Sequence, residues 1–466
     1  MSDVSRRFAT QALLYFLSNV AVRAVSFVLT PLYTRVLPQE AFGTLAYLNT
    51  LGTLLTLVVS CGLGAAIVRF VPEADRKQER TRLLGSIAVF YAIAPLAAVV
   101  AIEVAGRAGV LDAWLGVAYD PFLRYIAWAA WLAVFQAIPL QLFAIDERPS
   151  RVAALNVASV VAQLSLVGYF VLVRDEGLLG VVQANLWAQA VLACVSLWLV
   201  RSHLRLTIDR AWLVPALAYA LPLVPHLVSN WVLSISDRLL LARYTDSAQV
   251  ALYALAYTFN LICVMFTNAV AQALGPHFIR EQNAERAATS LPRLGDLCIA
   301  ATCVVCALVS VWANEALFVL APHARYEAAL AYVPWVVLGA LFQGVYFVSS
   351  QGSWYALRTG MVPVVTAIAA AVNLAGNVVF LPRYGAIAAA VNTAIAYAVM
   401  AILHDRLAQR RVPIPWHYAR WSVMIAAAAL AIGATPARAP WLAKGLVSLA
   451  LAAGVAWLAW PKERAA

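Results

Sequence analysis

Residues 17–37 read LSNVAVRAVSFVLTPLYTRVL, an apolar run with one arginine, Arg23, near its middle. A helix of a water-soluble domain would turn that guanidinium to solvent, but a helix inside a bilayer has no bulk water to offer it. The rest of the 466-residue chain decides between the two. Of its residues 64% are hydrophobic and 12% charged, with a mean hydropathy of +0.81, whereas soluble chains are about half apolar and roughly a quarter charged. Apolar stretches long enough to cross a bilayer core, about 17 to 25 residues of helix, occur about fourteen times. They lie near 8–35, 41–71, 82–105, 122–145, 150–173, 178–200, 212–243, 247–279, 294–320, 328–354, 360–381, 384–404, 416–434 and 441–460. A transmembrane barrel would instead give shorter segments alternating with period two. The sequence predicts an all-α polytopic membrane protein, and the run behind MSDVSRRF is read as its first span, retained rather than cleaved.

The cations give an orientation. Counting loops alternately from the N-terminus, one side holds 22 Lys and Arg and the other 10, with Arg23 completing the 33. The positive-inside rule then places both termini in the cytoplasm. That also accounts for the net charge of +11 without a nucleic-acid partner, since the cations are scattered over short loops with no basic helix or stacking platform. Six cysteines lie in apolar surroundings, and Cys303 and Cys306 in CVVC have neither a second ligand pair nor a nearby His, so packing is expected of them rather than metal or redox chemistry.

The chain repeats itself. LYTRVLPQEAFGTLAY at 32–47 recurs as ARYTDSAQVALYALAY at 242–257. At an offset of 210 residues, Ala74, Asp75 and Arg76 meet Ala284, Glu285 and Arg286, Leu84 and Gly85 meet Leu294 and Gly295, and Arg148 meets Arg358. Spans one to six therefore read as a copy of spans seven to twelve, and an even number of spans per copy makes the repeat parallel. The expected organisation is an N-lobe over 1–206, a C-lobe over 207–411, and two further spans over 412–466. Such paired lobes are a transporter architecture with the substrate path between them.

Arg23 belongs to a stripe. Steps of three or four residues give Gln11, Tyr15, Asn19, Arg23, Ser26, Thr30 and Thr34 on one helix face, which must look onto protein or water rather than lipid. Arg23 lies ~22 Å along the helix from residue 8, near mid-bilayer, where an unpaired cation costs at least ~3 kcal/mol. An aqueous cavity removes that cost. At an offset of 211 the seventh span repeats the face: Tyr15 maps to His226, Asn19 to Asn230, Arg23 to Ser234 and Ser26 to Asp237. Asp237 and Arg238 then place an acid and a base toward the outer end of that span, with Arg35 of the first lobe at matching depth as a gating partner. Arg69 ends the second span on the cytoplasmic side.

Three stretches resemble the polysaccharide repeat-unit flippases of the multidrug/oligosaccharidyl-lipid/polysaccharide exporter superfamily: LSNVAVRAVSFVLTPLYTRVLPQEAFGTLAY, GLGAAIVRF, and YALPLVPHLVSNWVLSISDRLLLARYTDSAQVALYALAY. The resemblance implies a non-enzymatic transporter of the bacterial inner membrane that moves an undecaprenyl-diphosphate-linked oligosaccharide between leaflets by alternating access, for cell-surface polysaccharides such as lipopolysaccharide. It points to cationic residues on the first, second and seventh spans, here Arg23, Arg69 and Arg238. The chemistry fits, because a guanidinium binds a diphosphate in bidentate fashion and stays charged. Asn19, Asn230, Gln163 and Asn373, the last two equivalent at offset 210, could hydrogen-bond phosphate or sugar hydroxyls. No cofactor is expected, the coupling ion is left open between H+ and Na+, and other membrane proteins of polysaccharide assembly are open as partners. A drug exporter of the same superfamily is the nearer alternative reading, and a membrane-embedded glycan polymerase or ligase the more distant one.

Overall fold

The computed structural model describes residues 22, 25–280, 284–350, 361–410, 413–435 and 438–459. All regular structure among them is helical. Ten of the described helices are long and apolar enough to cross a bilayer, and eleven if the pair Ala324–Ala331 and Val333–Ser349, bent by 45°, forms one span. This is fewer than the fourteen stretches counted in the sequence, for identifiable reasons. The eleventh and twelfth stretches merge into one 48-residue element, Val362–Gln409, which turns at Gly385. Gly385 has φ +57, a conformation open to glycine at no steric cost, so the reversal needs no loop. Tyr418–Ala434 is shorter than the rest. The start of the first stretch lies outside the described residues, which show helix over 25–36.

The chain divides into two compact units, Met1–Trp231 and Val232–Ala466. The core of the first is built from Leu63, Ile67, Leu84, Ile87, Tyr91 and Leu142 with Trp212, Ala216 and Ala220. That of the second includes Leu233, Val365, Ala369, Ala396, Tyr397 and Met400. Each unit leaves large apolar side chains outward, such as Val157, Val161 and Val191 in the first and Leu442, Leu446 and Leu449 in the second. In a chain with this many spanning helices those faces meet lipid tails.

The division falls inside the seventh span rather than ahead of it, and the packing says why. The segment after the sixth span lies directly on Gly85, where a Cβ would come within 1.8 Å of the Arg205 carbonyl oxygen. Next to it, Ser86 Oγ donates to the Thr207 carbonyl at 3.0 Å and accepts from the Asp209 N–H at 2.8 Å. Asp209 then caps the helix Arg210–Ala220 by accepting from the Ala211 N–H, and Trp212 Nε1 donates to Glu79 at 3.0 Å. That helix packs on Leu63–Arg76 and Arg80–Arg107.

The second unit does the same thing 210 residues later. A Cβ on Gly295 would meet the Trp416 ring at 2.6 Å. Asp296, the counterpart of Ser86 and fully buried, accepts from Trp421 Nε1 at 2.8 Å and Arg420 Nη1 at 3.2 Å, with His417 Nδ1 at 2.7 Å. The helix Tyr418–Ala434 is thereby fixed to Ala284–Val311. Farther along, Lys444, itself fully buried, donates to both oxygens of Glu315 at 2.7 and 2.8 Å. Asp296 lies on Ala284–Val311 and Glu315 on the next helix, Ala313–Leu320, beyond the break at Trp312. The helices Tyr418–Ala434 and Trp441–Ala459 are thus each tied to the rest of the second unit through a carboxylate, Asp296 for the first and Glu315 for the second.

Candidate functional site

Within the second unit an acid sits where no water reaches. Ser236 precedes the short helix Asp237–Tyr244, and Asp237, its first residue, is 0% exposed. Its position at a helix N-terminus favours negative charge. Four neutral donors converge on the carboxylate. Oδ2 accepts from Tyr253 OH at 2.6 Å, Thr393 Oγ1 at 2.8 Å and Tyr257 OH at 3.4 Å, and Oδ1 accepts from Asn377 Nδ2 at 2.7 Å. A second tier orients the donors: Asn373 Nδ2 donates to Thr393 Oγ1 at 2.9 Å, Asn377 Nδ2 also reaches Asn373 Oδ1 at 3.1 Å, and Asn392 Nδ2 donates to Asn377 Oδ1 at 3.0 Å.

The donors come from two elements on either side of the acid. Ser247–Arg280 supplies the tyrosines one helical turn apart, and Val362–Gln409 supplies Asn373 and Asn377 before its turn and Asn392 and Thr393 after it. Folding this element back at Gly385 is what brings 377 beside 392. The nearest cation does not pair with the acid: the Arg238 guanidinium lies over the Tyr257 ring at 4.6 Å and the Tyr253 ring at 6.0 Å, and no ion pair to Asp237 occurs among the described residues. Beside this network Ser234 Oγ lies 3.2 Å from Tyr397 OH. Asp237 is therefore a carboxylate held by hydroxyls and amides alone, with oxygen atoms of Asn and Thr close by. Such a group can be neutralised by a proton or by a small hard cation.

This corrects two expectations. Asp237 was expected at the outer end of its span, ready to meet a cation, but its carboxylate is engaged wholly inside its own unit. Asn373 was expected to line a cavity, and it is 0% exposed within the network. Five members, Tyr253, Tyr257, Asn377, Asn392 and Thr393, were not singled out from the sequence. Asn373 and Asn377 are one helical turn apart on one face, which is the local signal that could have flagged them. The first repeat lacks the acid: Asp237 falls on Ser26 at the seventh span's offset of 211, and at 210 Val167 and Gly43 replace Asn377 and Tyr253, while Gln163, Gln183 and Tyr47 stand opposite Asn373, Thr393 and Tyr257.

The remaining predicted residues are not gathered by this network. Asn19 and Arg23 lie outside the described residues. Ser26 is exposed, but the stripe does not continue as a polar lining, because Thr30 and Thr34 are buried and turn their hydroxyls to the backbone carbonyls of Ser26 and Pro31. Arg35 is exposed and Gln163 half-buried. Arg69 points outward, 3.8 Å from Glu73 and stacked 5.2 Å over Phe70. On Val224–Ile235, Asn230 is exposed with its Nδ2 3.4 Å from His226 Nε2, while Nδ1 of the half-buried His226 has no hydrogen-bond partner.

Residues 8–282 match the family model described as polysaccharide biosynthesis protein. The fold is similar to that of the lipid II flippase MurJ in an inward closed conformation, with a TM-score of 0.72 at 12% identity over 95% of this chain and 98% of that one. It is also similar to an inward-facing multidrug resistance MATE family transporter of the MOP superfamily, with a TM-score of 0.66 at 13% identity over 84% of this chain and 94% of the other. The Vibrio cholerae MATE transporter VcmN in the bent form gives 0.57 at 17% identity over 88% and 98%. No curated protein sequence matches the chain.

Proposed function

Because the chain belongs to the polysaccharide biosynthesis protein family, we propose that it is a flippase carrying an undecaprenyl-diphosphate-linked oligosaccharide from the cytoplasmic to the periplasmic leaflet of a bacterial inner membrane, with both termini cytoplasmic. The observation that carries this reading is the family match joined to a fold shared with a lipid II flippase along nearly the whole of both chains. Two transmembrane units that alternately open to either side can pass a headgroup while the prenyl tail stays in lipid. In this reading Arg23 holds the diphosphate, and Asn19, Ser26, Arg69, Gln163, His226 and Asn230 contact phosphate or glycan. Asn373 leaves that set for the Asp237 network. Asp237, with Arg238 beside it, is the coupling residue: a charge with no exposure is costly, so uptake and release of H+ or Na+ there can bias the second unit between two packings.

The test is reconstitution in proteoliposomes with a fluorescent undecaprenyl-diphosphate glycan, read by quenching with a membrane-impermeant reductant. The wild type should move the lipid, Arg23→Ala should abolish movement while inserting normally, and Arg23→Lys should restore part of it because an ammonium lacks the planar fork. A second reading, a drug or small-molecule exporter of the same superfamily, is favoured by the likeness to MATE transporters. Extrusion of a cationic dye with no lipid movement would establish it instead.

A further inference from the structure

One groove in the first unit is used by neither the repeat nor the Asp237 network. It has a volume of about 650 Å³ and is walled by Ala154, Leu155, Ala158, Val195 and Leu199, with Arg151 and Arg201 at its polar end. Each arginine is exposed and laid over an aromatic ring, Arg151 5.4 Å from the centre of Phe143 and Arg201 5.1 Å from that of Trp198. Stacking fixes a guanidinium plane while leaving its N–H edges free for an anion. No acid lines the groove, and neither arginine has an ion pair among the described residues. A second groove, in the other unit, has the opposite character: its Arg406 stands beside Asp405, which accepts from Tyr418 OH at 2.8 Å.

Arg151 is in the first turn of Pro149–Val167, whose positive end adds to its charge, whereas Arg201 follows the end of Gly177–Val200 and offers an anion its own charge only. Both belong to the side with the larger count of cations, which the positive-inside rule puts at the cytoplasmic leaflet. The surface around the groove is apolar and outward-facing, with Val157, Val161, Val191 and Trp198 exposed. Two guanidinium groups at headgroup depth over an apolar trough are complementary to an anionic phosphate ester carrying a hydrocarbon chain.

We propose that this groove binds an anionic glycerophospholipid of the cytoplasmic leaflet, its phosphate between Arg151 and Arg201 and one acyl chain along Ala154, Leu155, Ala158, Val195 and Leu199. The site is separate from the flippase reading and does not depend on it. The test is native mass spectrometry of the full-length protein titrated with phosphatidylglycerol or with phosphatidylcholine of the same chains. The wild type should hold one phosphatidylglycerol at least ~10-fold more tightly than phosphatidylcholine. In the double variant Arg151→Ala, Arg201→Ala that affinity should fall about 30-fold, the loss of two surface cations, with phosphatidylcholine binding unchanged. Ala158→Trp, which fills the trough and leaves both arginines, should weaken phosphatidylglycerol as well, and keeps the test open if the double variant fails to fold. Equal binding of the two lipids by the wild type, or undiminished phosphatidylglycerol in the folded double variant, overturns the proposal. Full displacement by soluble glycerol phosphate also overturns it, because the site would then recognise the anion without its chain.

Discussion

At Asp237 one carboxylate organises six other side chains, and its removal should be felt by all of them. Asp237→Ala leaves Tyr253 OH, Thr393 Oγ1 and Asn377 Nδ2 without their acceptor in a place water does not enter. Each buried unsatisfied group costs about 1–3 kcal/mol, so several kcal/mol of stability should be lost, seen as a marked fall in thermal midpoint in detergent. Tyr253→Phe removes one donor and should cost about 1.5–3 kcal/mol, the worth of a hydrogen bond to a charged group. Asp237→Asn keeps the volume and should fold, yet lose any dependence of transport on the coupling ion. A transport rate in Asp237→Asn that still follows the ion gradient would remove Asp237 from coupling. The sequence made Asp237 and Asn373 visible because each is polar in an apolar run. It could not make their partnership visible, since Asp237 meets Asn377 across 140 positions and Thr393 across 156, and taken singly Asn392 and Thr393 look like ordinary small polar residues of a membrane helix.

Among elements, the docking of a following segment on the third and ninth spans can be tested by two glycines. At Gly85 an added Cβ meets a backbone carbonyl at 1.8 Å, which can yield only if the chain moves. At Gly295 it meets an indole ring at 2.6 Å, which can tilt. Overpacking costs about 1–3 kcal/mol, and Gly85→Ala should reach or exceed the upper end while Gly295→Ala stays nearer the lower. Denaturation midpoints of the two variants in one detergent would show it, and equal losses would contradict the difference in neighbours. The glycines themselves were legible as a matched pair at one offset. What they were for was not, because the residues that press on them, Arg205 and Trp416, do not correspond at that offset, and of the positions that follow, through Trp212, only Arg210 matches its counterpart, Arg420. Gly385 is a comparable case: hydropathy separated two spans there, but only its backbone conformation shows that the chain reverses with no intervening loop.

For the whole molecule, hydropathy and the repeat were enough to give an all-helical multi-pass membrane protein of transporter fold, because a bilayer forces long apolar helices and leaves few alternatives. The expected sidedness remains to be measured. In a cysteine-free background, single cysteines at Gln78 and Arg410 should resist an impermeant thiol reagent in intact cells, while those at Ala108 and Ala324 should react. All four positions are exposed, and Ala108 is preferable to Gly109, whose φ of +74 would strain a side chain. The reverse pattern would invert the topology. Arg210–Ala220 stands to Gly85 in the first unit as Tyr418–Ala434 stands to Gly295 in the second, so in each unit a helix from beyond the sixth stretch is tied back to the third or its counterpart. A cut at 206, where hydropathy would divide the chain, therefore strips the first unit of Trp212, Ala216 and Ala220 from its core, and a fragment that keeps that packing has to run past Ala220.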